Sequence, residues 1–286
     1  MGTSNAYGGP GGGTPLVPTW LEPDPAGTPA PSDAPDGSAP PVPPMAPPDR
    51  PVPLAPAPGR FTGARGNFSR FAGSGGRDRA SLGRAVANYV STASGGARQA
   101  ARRMGSSHDA GARLLSFLAD AAGRGAREAL RALNLESLAG RPLEDIFLGL
   151  ADYVCPDGGT VDEGIARDAF IETIAELAGL GITDLDALNP DQVQTVFELY
   201  ATHAIEGRIC NDIGTRAVIL PADVRAVEGI QAQLRDFVRR GVSDALTAAR
   251  AALEVLTPEQ VLAFVGGIYE SAFAILRAIG EAEAAA

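Results

Sequence analysis

The chain has 286 residues, 45% of them hydrophobic and 20% charged, with a net charge of −10. All 24 cations are arginine, so the chain lacks lysine and with it every catalytic device built on a lysine, the phosphate loop of P-loop nucleotide hydrolases included. Cys155 and Cys210 stand alone without a CxxC spacing, which argues against a disulfide framework or a zinc site and predicts two free thiols.

Residues 1–59 hold most of the prolines and carry a charge of −4. MGTSNAYGGPGGG has almost nothing to bury, and its glycines make ordering costly, so this end is expected to be disordered. It lacks a positive n-region and an apolar h-region, so no signal peptide is expected, and a cytoplasmic protein without a membrane segment follows as the expectation. Leu16, Val17, Trp20 and Leu21 form a short apolar patch among prolines, the composition of a docking motif. Residues 22–59 then read as a semi-stiff, polyproline-biased linker.

Residues 60–131 carry +9, and residues 132–286 carry −15. At the start of the basic segment Phe61, Phe68 and Phe71 are interleaved with Arg60, Arg65, Arg70 and Arg77. Arginines alternating with aromatic rings can hold single-stranded nucleic acid by phosphate contact and base stacking. They can equally dock on a protein partner or on the acidic helical part that follows, and the −15 there favours docking over nucleic acid. Residues 60–105 are therefore read as a basic collar with one or two short helices, followed by a helical domain over 106–286.

The spacing predicts a first helix from near Asp78 to Ser91, with Leu82, Val86, Tyr89 and Val90 on one face, then a short basic helix over ARQAARRM. Ser106 and Ser107 are expected to cap a longer helix that buries Leu114, Leu115, Phe117 and Leu118 and breaks at Gly123 and Gly125. Further helices are predicted at about 142–154, 161–179, 190–209, 222–252 and 258–282. Thr160 with Glu163 and Thr257 with Gln260 fit the capping box, and Pro190 and Pro258 fit the first helical position. The only strand-like run is AVIL at 217–220. The fold class is all-α, a domain of about six to eight helices behind a disordered Pro/Gly-rich tail.

No pattern for nucleophilic or metal-assisted catalysis stands out, so a non-enzymatic protein without a cofactor or metal is expected. Neither His108 nor His203 sits in a catalytic pattern; His203 with Glu206 and Cys210 could share a helix face, but a buried structural histidine is the stronger reading. What remains distinctive is the amine of Gly2. Met1 precedes a small residue and is expected to be removed, and without lysine the α-amine is the one primary amine available for acylation. At an ordinary pKa near 8 it keeps a usable neutral fraction at pH 7. Ala6 stands where the myristoylation motif needs Ser or Thr.

The MGTS start, the TPLVPTW patch, and Ser74, Gly76, Arg77, Leu82, Ala85 and Tyr89 within SGGRDRASLGRAVANY together resemble the QatB family of the bacterial four-gene Qat anti-phage defence system. That resemblance implies partners: a QueC-like enzyme, QatC, and with it an ATPase and a TatD-like nuclease. It implies that QatC, as a relative of enzymes that adenylate a 7-deazaguanine carboxylate and let an amine attack it, would meet Gly2 as acceptor, with Thr3, Ser4, Leu16, Val17 and Trp20 recognised beside it. The alternative that the resemblance leaves open is an adaptor that delivers DNA or partner subunits to the nuclease and the ATPase.

Overall fold

The computed structural model of the protein describes residues 59–285 except 157, 215–220, 222 and 255. Gly2, Thr3, Ser4, Leu16, Val17, Trp20, the proline-rich linker and the strand-like AVIL run lie outside the described residues. The chain divides into two units, Met1–Leu54 and Ala55–Ala286, so the basic collar and the helices after it belong to one compact unit.

Ten α-helices make up that unit among the described residues: α1 Thr62–Gly73, α2 Arg79–Asn88, α3 Ala97–Arg102, α4 Ser106–Arg124, α5 Ala126–Ala132, α6 Leu143–Val154, α7 Val161–Gly179, α8 Pro190–Ile213, α9 Val224–Glu254 and α10 Val261–Ala285. No strand occurs among the described residues, and the class is all-α. The helix expected to start near Asp78 does so because the Asp78 carboxylate accepts the Ser81 N–H at 2.9 Å. It buries Leu82 and Val86, and the π-helical turn Tyr89–Ala93 that continues it buries Tyr89 and Val90. Thr160 with Glu163 closes the expected capping box on α7, and Asn189 with Gln192 closes another on α8, where Pro190 takes the first position. At Thr257 only half the box forms: the Gln260 side chain accepts the Thr257 N–H, while the Gln260 N–H turns to the Thr257 carbonyl in a 3₁₀ turn.

Two expectations are corrected. α4 has no serine cap: its N-cap is Gly105 at φ +43°, a left-handed region that disfavours side chains, and Ser106 and Ser107 lie inside the helix. Nor does Gly123 interrupt α4; the chain breaks only at Gly125, where φ is +88°. Two helices, α1 and α5, carry no expectation from sequence. α1 contains Gly63 and Gly66 and has no side-chain cap, so tertiary burial of Ala64, Phe68, Phe71 and Ala72 on one face holds it helical.

The core is organised around α10, which packs against α2, α9, α3 and α4, while α8 packs against α7, α9 and α4. α2 and α10 meet through Gly83 and Gly280; a Cβ on Gly83 would stand 2.7 Å from the Gly280 carbonyl, so only glycine lets the two backbones approach this closely. α10 is long and apolar enough to cross a membrane, with a hydropathy of 1.5, yet Val265, Ile268, Tyr269, Phe273 and Leu276 are buried in this core. Buried Tyr200 and Tyr269 both donate their hydroxyls to the Ser107 carbonyl, at 3.0 and 3.4 Å, which satisfies the polar ends of two core rings.

Candidate functional site

The collar arginines converge on the C-terminal end of α8. Helix ends leave carbonyls without an intrahelical partner. Here α8 stops at Gly214, with φ +81°, and Arg65 from α1 fills the gap, its Nε donating to the Ile213 carbonyl at 2.5 Å and an Nη to the Asp212 carbonyl at 3.3 Å. The Asp212 carboxylate, with a side chain only 7% exposed, accepts the Tyr89 hydroxyl at 2.9 Å and an Arg103 Nη at 3.1 Å. Arg208, one turn back on α8, stands 3.4 Å from the same oxygen and pairs with Asp162 on its other side. Two acidic side chains thus hold the guanidiniums of Arg103 and Arg208, while the carbonyls of the helix end hold Arg65.

Phe61 organises the outer side of this cluster. Its ring stacks on Tyr89 at 6.1 Å between centroids, and the guanidiniums of Arg60, Arg65 and Arg103 lie 4.7, 5.6 and 5.6 Å from its centre, within cation–π range. Burial, and after it the charge of Arg103, push the Arg60 guanidinium below its ordinary value. Burial, and after it the Asp212 charge, hold the Tyr89 phenol well above the usual range, so Tyr89 acts as a hydrogen-bond donor. Burial works against the charge on Arg208, but Asp212 and Asp162 outweigh it and raise its pKa. The chemistry is that of an anchor, with donors fixed on carboxylate and carbonyl oxygens.

Of the collar residues singled out in the sequence, the structure brings Arg60, Phe61 and Arg65 together and sends the others elsewhere. Phe68 is 9% exposed and Phe71 fully buried in the core, which corrects the reading of these rings as stacking platforms for bases. Arg70 lies on the surface with an Nη on the Asn67 amide oxygen at 2.8 Å, and Arg77 is exposed. Tyr89, Arg103, Arg208 and Asp212 complete the site and were not singled out as members of it. Their separations in sequence reach well over a hundred residues, so no local pattern carries them; only the excess of negative charge beyond residue 131 hinted at where the arginines go.

A second polar cluster lies between α7, α8 and α9. His203, 5% exposed, places Nε2 3.0 Å from a Glu176 oxygen and Nδ1 4.0 Å from Glu206. Glu206 is held by Arg235 at 2.8 Å, and Glu176 is also held by Arg239. Burial, and after it the Arg235 charge, lower the His203 pKa against the pull of both carboxylates. Among the described residues no group of three His, Cys, Asp or Glu side chains could hold a metal ion. Burial raises Cys155 to about 11 and, with help from Glu206, Cys210 to about 12, so both thiols are held protonated. His108 binds the Leu262 carbonyl at 2.9 Å and tethers α4 to α10.

Comparison with protein-family models matches residues 95–276 to the Qat anti-phage system associated protein QatB. No curated protein and no solved structure matches the chain.

Proposed function

The chain belongs to the QatB family and is a component of the Qat anti-phage defence system, and from that premise we propose that it is the protein substrate and scaffold of that system, with no catalytic activity of its own. The other Qat components are its partners in this reading, QatC first among them. The Gly2 amine, freed by removal of Met1, attacks a 7-deazaguanine carboxylate that QatC has activated as an adenylate. A carbon–nitrogen bond forms, the bond from the acyl carbon to the adenylate phosphate breaks, AMP leaves, and the amine gives up a proton. The product is an amide-linked deazaguanine on the N-terminal glycine.

The observation that carries this reading is the absence of lysine, since it leaves the α-amine as the one primary amine that an acyl donor can find. The cluster around Asp212 agrees with the scaffold half of it: Arg65, Arg103 and Arg208 are engaged in holding α1, α3 and α8 to one another.

The test is the intact mass of the protein expressed alone and together with the other Qat genes. Co-expression is expected to add the mass of the acyl nucleobase to a chain lacking Met1, with the addition mapping to the peptide that begins at Gly2. An unchanged mass, or a chain that retains Met1, would overturn the reading. Gly2→Leu, which blocks methionine removal, is expected to abolish both the added mass and the defence.

A further inference from the structure

Away from the collar, the outer side of the α6–α7 hairpin combines exposed apolar side chains with unneutralised carboxylates. The two helices run antiparallel, with Phe147 stacked on Phe170 at 5.7 Å and Asp152 bound to Arg167 at 2.8 Å. Each residue advances an α-helix by about 100°. In an antiparallel pair, the positions that follow two facing residues therefore turn to the same side, and Leu148 and Ile171 emerge together, one turn from the Asp152–Arg167 pair. They are 50% and 42% exposed. Ala175 and Ala178 extend the exposed surface along α7, toward an apolar pit of about 60 Å³ whose walls include Leu143, Phe147, Ile174 and Leu177.

The rim of this surface is acidic. Residues 143–179 carry a net charge of −8. Asp152, Asp162 and Glu176 are held by Arg167, Arg208 and Arg239. Glu144, Asp145 and Asp168 are exposed and enter no ion pair among the described residues. Within the basic segment of the chain itself, Arg84, Arg98, Arg103, Arg124, Arg127 and Arg131 already hold carboxylates of their own fold.

We propose that the outer face of the α6–α7 hairpin is a docking surface for a protein partner that presents an apolar anchor inside a lysine- or arginine-rich rim. Leu148 and Ile171 supply the contact that excludes water, the pit next to them receives the anchor, and Glu144, Asp145 and Asp168 steer the basic rim into register. The proposal rests on the scaffold half of the reading above and is independent of any modification of Gly2.

The experiment uses the full chain, co-expressed with the other components of its system, and measures complex formation by size-exclusion chromatography with light scattering and by titration at low and high salt. Two double variants are compared with the wild type, Leu148→Gln/Ile171→Gln and Asp145→Lys/Asp168→Lys. All four positions are exposed, and a thermal melt confirms that each variant folds. Each pair is expected to weaken the complex about tenfold or more, and the lysine pair is expected also to flatten its salt dependence. Binding within about twofold of wild type for either pair, or no complex from the wild-type chain, overturns the proposal. So does a dimer of the chain alone that the glutamine pair dissolves, since a second copy would then occupy the face. The mass of the N-terminal peptide, read on the same samples, separates the two proposals: unmodified Gly2 with binding lost in the variants removes the conjugation and keeps the docking face, and modified Gly2 with binding unchanged does the reverse.

Discussion

Asp212→Ala tests whether the collar is an anchor. The carboxylate is 7% exposed and accepts from Tyr89 and Arg103, with Arg208 at 3.4 Å. Deleting it leaves two largely buried guanidiniums short of an anion, although Arg208 keeps Asp162. Breaking a buried ion pair by removing one partner costs about 3–5 kcal/mol, and for a domain of this size each kcal/mol lowers Tm by about 2–4 °C, so a fall of roughly 6–20 °C is expected. Asp212→Asn keeps the shape and an acceptor for the Tyr89 hydroxyl, and should recover about 1 kcal/mol of that loss. Urea denaturation at neutral pH measures both, and a cycle with Arg103→Met isolates the pair, with an expected coupling of at least about 1 kcal/mol. An Asp212→Ala variant within about 1 kcal/mol of wild type, or strict additivity with Arg103→Met, would refute the view that this carboxylate ties the collar to the helical body.

Gly83→Ala would place a methyl group 2.7 Å from the Gly280 carbonyl; overpacking of about 1–3 kcal/mol against a helix-propensity gain of up to about 1 kcal/mol predicts a net loss of stability, and a stabilised variant in thermal melts would contradict the close approach of α2 and α10. His203 has its folded pKa lowered by burial, so on acidification the unfolded chain binds its proton first and the stability this neutral histidine supports declines as pH falls below its ordinary value near 6.5. Urea midpoints between pH 7.5 and 5.5 should therefore decline less steeply in His203→Gln than in the wild type, and equal slopes would show that His203 titrates normally. With Cys155 buried and raised to about 11, its thiol should not react with a disulfide reagent at pH 8 in the native protein but should react in denaturant, and rapid native labelling of Cys155 would contradict its burial.

Where local chemistry fixes an element, the sequence is enough to find it. Thr160 and Glu163, Asn189 and Pro190, and the stripe Val265, Ile268, Tyr269 and Leu276 mark helices whose observed positions follow those residues closely. α1 escaped because Gly63, Gly66 and Asn67 lower helix propensity, although Ala64, Phe68, Phe71 and Ala72 already recur at helical spacing. That recurrence is the pattern of a buried helix face, and it places Phe68 and Phe71 in the core. The Gly105 cap escaped for the opposite reason: two good capping residues follow it, and only the backbone conformation shows that glycine took the position.

The collar makes a further point about charge. A segment of +9 before a segment of −15 shows that cations and anions will meet, but not where. Arg65 and Arg103 meet Asp212 because α8 ends beside α1 and α3, and the bare carbonyls of that end add to the carboxylate's pull. What α6 and α7 offer to solvent is carboxylate around Leu148 and Ile171, so the surface suited to a partner lies in the acidic half of the molecule, away from the arginines that first drew attention.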